Sequence, residues 1–329
     1  MEQTDVAVKP ERLQVDIDKP RWDQSTFVGR LKHFATITDM RKLFASEKKL
    51  DKAKELVNLY RSGACPPGTT EEQLWQAKQL YDSAFHPDTG DKMNLFGRMT
   101  FQVPGGMALT GLLLHFYRTP VEVALSQWGN QSFNALVNYT NRNAASEIST
   151  KQMLAAYLSA TGAALGVALG LNAYSKKAPP VVARWVPFAA VAAANAVNIP
   201  LTRQSELIHG VTVTDADGNE LGLSKKCAER GISQVLLSRV LMAAPGMVFL
   251  PMMMESLNKR AWFRRATWLH LPFQTFGVGV FLVAMVPIAC SLFPQRASMD
   301  VKQLENELQD EIRKRFGKNV DKVYFNKGL

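Results

Sequence analysis

An apolar, alanine-rich stretch from Val181 to Leu201 is long enough to cross a bilayer, yet it carries Pro187, Asn195, Asn198 and Pro200 and then meets Arg203, Gln204 and Glu206. Hydrocarbon offers no partner to an amide side chain or to a carbonyl that a proline leaves free. These groups must therefore face other helices or a wet cavity. The stretch reads as a membrane helix built around a polar site, which points to transport before catalysis. Taken singly, Asn195 and Asn198 also fit a plainer role, tying helices together as amides often do in bundles.

The mean hydropathy of −0.10 hides the membrane character because a polar front and tail dilute it. No apolar run in 1–98 approaches the ~20 residues a crossing needs, whereas several follow. Spans are expected near Met99–Thr119, Met153–Tyr174, Val181–Leu201, Gly231–Met254 and Leu269–Phe293. A Lys176-Lys177-Ala178-Pro179-Pro180 turn separates the second from the third. Arg239 lies about two turns inside its span, where a charge must snorkel, pair or face water. The segment 121–142 is too rich in Gln and Asn to face lipid all round and suits a buried, interfacial or re-entrant helix. The expected fold is an all-α membrane protein of about five transmembrane helices plus a re-entrant or amphipathic helix. It divides into a soluble helical domain (1–98), a multispanning domain (99–293) and a soluble tail (294–329). Five crossings would leave the termini on opposite sides.

The formal charge is +10. Residues 1–98 hold 16 basic against 15 acidic residues and the remainder 23 against 14, so the excess travels with the membrane part. Flanking Lys and Arg of this kind reflect topology and anionic headgroups, and no nucleic-acid module is visible. Met1–Pro20 lacks the apolar core of a secretory signal, and Glu2, Asp5, Glu11, Asp16 and Asp18 are foreign to a cleaved mitochondrial presequence. Cys65, Cys227 and Cys290 have no disulfide or zinc spacing, and no cofactor or metal site is expected.

Within the front region, Leu50, Ala53, Leu56, Val57 and Tyr60 share one face of a helix opening at Ser46 and ending near Ser62, before Gly63. Thr69 or Thr70 caps a second helix through Leu74 and Tyr81. Alternation around Asp217-Gly218 between Val211 and Gly222 predicts a short β-hairpin, the one convincing strand pair. The tail carries a charged helix at about Asp300–Phe316.

His86-Pro87-Asp88-Thr89-Gly90 stands between the front domain and the first span. Physically it is a tight turn: Pro87 fixes φ, Asp88 and Thr89 can cap local amides, and Gly90 permits positive φ. This pentapeptide resembles the hallmark motif of the sideroflexins, also called mitochondrial tricarboxylate carrier-like proteins. Pro20–Phe27, Gln131–Arg142, Pro187–Asn195, Asn198–Leu201, Ala243–Met247 and Val323–Leu329 are similar to the same family, and the second animal paralogue type resembles the chain more than the first. The resemblance implies a multi-pass protein of the mitochondrial inner membrane, imported without a cleaved presequence. It would move a small neutral amino acid, serine or else alanine, glycine or cysteine, toward one-carbon metabolism. An indirect link to iron and haem homeostasis is implied as well.

A zwitterionic substrate needs a cation for its carboxylate and amides or carbonyls for its ammonium. Arg203 and Arg239 are candidates for the first. Asn195, Asn198, Asn134, Asn138 and Gln234 are candidates for polar contacts, and Pro187, Pro200 and Pro245 for helix breaks that free carbonyls. The competing reading is a membrane scaffold or assembly factor in iron and haem metabolism that acts without transport, suggested by the large front region. An enzyme is disfavoured, since phosphate loop, dinucleotide fingerprint and nucleophile elbow are all missing from the sequence.

Overall fold

A computed structural model of the chain describes residues 15–86, 89–116, 119–140, 150–175, 177, 179, 185–316 and 320–328. The front layer is built from α1 (Phe27–Ile37), α2 (Glu47–Arg61) and α3 (Glu71–Ala84). Thr70 and Gln73 close a reciprocal capping box at the start of α3, satisfying two backbone donors that no helical carbonyl can reach. Leu50, Ala53 and Val57 of α2 bury against Leu74, Leu80, Tyr81 and Ala84 of α3 with Ile17 and Phe85. Each large side chain so buried contributes roughly 1.5–3 kcal/mol. Both helices lie where the sequence placed them.

Six helices follow: α4 (Gln102–His115), α5 (Pro120–Thr140), α6 (Thr150–Ser175), α7 (Val186–Thr202), α9 (Lys225–Asn258) and α11 (His270–Ser291), with short α8 (Gln204–His209) and α10 (Ala261–Arg265) between the later ones. The packing is cyclic. Each of the six lies against its neighbours in chain order, and α11 returns to α4. Small residues allow close approach, as at Gly111, where an added Cβ would stand 2.8 Å from the Thr275 Cα.

Two helical segments, Lys225–Asn258 and Thr267–Ser291, are long and apolar enough to cross a membrane, and Val186–Thr202 is a shorter apolar helix. Only 28% of the apolar window of each long helix is buried. The core helix of a soluble protein would be mostly covered, so the outward display of Leu237, Phe249, Met252, Phe276, Val280 and Val283 suits lipid instead. The first expected span is shorter than foreseen: Met99–Phe101 winds as a 3-10 turn and the regular helix stops at His115. Turn and helix together reach about 27 Å. The segment expected to be re-entrant or amphipathic is the continuous 21-residue α5. It lies against α4 and α6 with its polar face inward.

The single expected hairpin is a correction too. β1 (Val211–Thr214) and β2 (Glu220–Ser224) belong to a four-stranded antiparallel sheet of order β2-β1-β4-β3, completed by β3 (Arg296–Asp300) and β4 (Lys322–Asn326) from the tail. The charged helix of the tail, α12 (Asn306–Phe316), therefore begins at Asn306 rather than near Asp300. Ala297, Met299, Val323 and Phe325 point to one face, where Leu308 and Ile312 of α12 and Cys227 of α9 meet them. At about 1.5 Å per residue the 34 residues of α9 reach about 51 Å, far beyond a ~30 Å hydrocarbon core, so one end rises into this layer.

Candidate functional site

On α5, Val123, Gln127 and Gln131 follow one another at four-residue spacing and are 0%, 0% and 2% exposed. They face a seam where Ala160, Ala164 and Ala168 of α6 and Ala190 and Ala194 of α7 keep the backbones close. Asn198 continues the buried row of α7, and its Nδ2 donates to the Gln131 Oε1. Among the described residues, both amide atoms of Gln127, the Gln131 Nε2 and the Thr161 Oγ1 are buried without a partner. Each such group costs about 1–3 kcal/mol unless water or a ligand satisfies it. The bundle thus keeps a row of amides with unused hydrogen-bonding capacity.

A second polar place lies where the other helices meet the tail. Gln102 at the start of α4, Ser238 and Arg239 of α9, Cys290 of α11 and Lys327 just after β4 line a cavity of about 30 Å³. That is room for one or two waters. Lys327 is 2% exposed. Its N–H donates to Gln295 O at 2.9 Å, its carbonyl accepts from Arg203, and its backbone passes beside Gly231 at 3.4–3.5 Å from where a Cβ would stand. No acidic side chain lines the cavity, and among the described residues neither the Lys327 ammonium nor Arg239 has a hydrogen-bond or ion-pair partner. Burial holds the Lys327 ammonium below the ordinary lysine value; Cys290 opposes this, while Arg203, Arg239 and Arg30 act with burial.

The expected site residues fall on both places and between them. Asn198 belongs to the amide row; Asn134 and Asn195 are half-buried on α5 and α7, and Asn138 lies on α5 with a side chain outside the described set. Gln234 is on α9, its Oε1 buried without a partner among the described residues. Arg239 faces the cavity. Arg203 grips both carboxylate oxygens of Glu206 through Nε and Nη2 and donates from Nη1 to Lys327 O at 2.9 Å, so three of its N–H groups hold α7 to α8 and to the tail. None of the three prolines breaks a helix: Pro187 sits in the first turn of α7, where a missing N–H has no intrahelical acceptor, while Pro200 and Pro245 lie inside unbroken helices. Of the pentapeptide, Gly90 N–H donates to His86 O at 2.9 Å and Gly90 has φ +67°; Pro87 and Asp88 lie outside the described residues. Lys54 Nζ fixes the turn to α2 through Gly90 O at 2.9 Å. No group of three His, Cys, Asp or Glu converges among the described residues.

Sequence reasoning passed over Gln127, Gln131 and Lys327 as site residues. The four-residue spacing of Val123, Gln127 and Gln131 could have found the first two. Lys327 is lonely in its primary context; only its place in the family-like ending Val323–Leu329 marked it.

The profile of the family described as Sideroflexins matches residues 16–329. Sideroflexin-2 of Mus musculus is 58% identical over 95% of this chain and 98% of its own length, and that of Homo sapiens 57% over the same shares. Sideroflexin-1 of Sus scrofa is 52% identical over 96% of this chain and 98% of its own. No solved structure matches.

Proposed function

The chain belongs to the sideroflexin family, and from that premise we propose that it is a secondary transporter of a small neutral amino acid, serine first, in the mitochondrial inner membrane. The observation that carries the reading is the buried amide row of Gln127, Gln131 and Asn198 inside a ring of helices whose apolar faces are turned outward. Polar capacity left unused at such depth is costly, and a polar solute crossing the bilayer needs it. The same reading takes the six helices of the ring as six crossings rather than five. What supports six is that the start of α4, the end of α11, the end of α7 and the start of α9 all meet at Lys327. Only an even number of passages returns the chain there. Delivery of serine to one-carbon metabolism, and an indirect effect on iron and haem homeostasis, would follow from that activity.

The test is uptake of radiolabelled serine by proteoliposomes holding the full chain, beside a Gln131→Leu, Asn198→Leu variant at matched reconstitution. Saturable uptake that falls at least tenfold in the variant is the expected outcome. Failure of the folded wild type to move serine, alanine, glycine or cysteine would sink the proposal. A scaffold acting without transport would show no such uptake and would tolerate the pair of substitutions.

A further inference from the structure

Lys327 is a charged side chain placed where a neutral one would be far easier to accommodate. It stands on the last stretch of the chain, beyond the sheet, yet it is 2% exposed and turned into the bundle. Its backbone is clamped on three sides, by Arg203, by Gln295 O and by the bare surface of Gly231. Arg239 faces the same cavity from α9, and Arg30, 7% exposed, sits nearby with its Nε donating to Ser291 O at 2.8 Å. The Glu206 carboxylate is occupied by Arg203. Two cations, Lys327 buried and Arg239 half-buried, thus line one small cavity with no counter-charge among the described residues, in surroundings of Val235, Met242 and Val286. Cations of like sign held out of bulk water repel and lose hydration, and an anion entering between them offsets both effects. A carboxylate accepts hydrogen bonds from an ammonium and a guanidinium at once and is the ligand with the matching charge and size.

We propose that Lys327 and Arg239 together bind the carboxylate of the transported amino acid, so that the C-terminal end of the chain supplies a substrate-binding residue. This rests on the transport reading above. It also makes the tail a moving part. At about 30 Å³ the cavity admits no whole amino acid, so loading requires Lys327 and the strand that carries it to shift away from α9. The Arg203 clasp on Lys327 O holds the closed position.

Serine uptake is measured as a function of concentration in proteoliposomes holding the wild type, Lys327→Gln and Lys327→Arg, with L-serinamide as a competitor that lacks the carboxylate. The expected result is a KM at least tenfold higher for Lys327→Gln, substantial recovery in Lys327→Arg, and weak competition by serinamide at concentrations where alanine competes well. A Lys327→Gln protein with the wild-type KM overturns the inference and leaves transport standing. Serinamide competing as well as alanine on the wild type does the same without relying on a variant that folds. No uptake by the wild type removes the transport reading, and this inference falls with it.

Discussion

Two lysines here are withdrawn from water to different degrees, and they show what burial does to a cation. Lys42, in the 3-10 turn Met40–Phe44, reaches back to donate to Thr36 O and sits where water is scarce. Desolvation lowers its pKa to about 8, against the opposing attraction of Asp39 and Asp82. Because the neutral amine is the nucleophile, Lys42 should react half-maximally near pH 8, well below the ordinary lysine range. Mass-spectrometric mapping of amine acylation against pH checks this, and a midpoint near the ordinary lysine value of 10.5 would contradict it. Lys327 is more deeply enclosed, and its sequence neighbours Asn326 and Gly328 say nothing of that. The list of polar candidates read from the chain held Asn198 and Arg239 but not Lys327, for a local reason. Polar residues inside apolar spans stand out locally, whereas a lysine in a polar tail looks like any solvated charge.

Among the elements, those with strong local signals lie where periodicity put them, and those assembled from distant pieces do not. α2 and α3 carry their own apolar stripes, and α3 its own capping box. β3 and β4 are five residues each, joined by a helix rather than a turn, and β4 finds β1 across more than a hundred residues. The N-terminus of α9 shows how such distant parts are joined. Ser224 caps it by accepting from Cys227 N–H, and Glu305 of the tail accepts from Ser224 Oγ at 2.9 Å, Lys225 N–H at 2.7 Å and Lys226 N–H at 2.9 Å. A carboxylate there also meets the positive end of the helix. Burial raises the Glu305 pKa, but these hydrogen bonds outweigh it and the net shift is downward. A depressed carboxylate contributes stability that is present above the unfolded pKa and lost as pH falls through the folded one. Glu305→Gln should therefore cost about 1 kcal/mol at neutral pH, and the deficit should close below about pH 4. Thermal melts of both proteins across that range decide it; a deficit independent of pH would assign the cost to shape rather than charge.

At the scale of the whole molecule, the six crossings proposed above differ from the count of apolar runs in the path they give the chain through the bilayer. Counting apolar runs yields five spans and opposite termini, because α5 is too polar to count. In the folded chain the amides of α5 turn inward to α6 and α7, so the helix needs no apolar surface all round to lie among them. On the six-crossing proposal the front layer and the sheet share one side. Arg30 of α1 donates to Ser291 O at the end of α11, and Lys327 of the tail lines a cavity with Cys290 of the same helix. An impermeant maleimide applied to one face of oriented vesicles should label the native Cys65 of the front layer and a cysteine introduced at exposed Lys314 together. Labelling from opposite faces would restore the odd count.

Hydrophobic periodicity, capping residues and the near-complete family match were local or linear properties, so the helical class, the front-layer helices and the family could be read from residue order alone. The partners of the amide row, the cation pair and the completion of the sheet by the tail could not. Each joins groups tens to hundreds of residues apart, and no local pattern encodes which faces meet when six helices close into a ring. Burial turned Gln127 and Lys327 from ordinary polar residues into groups short of partners, and burial is a property of the packed molecule.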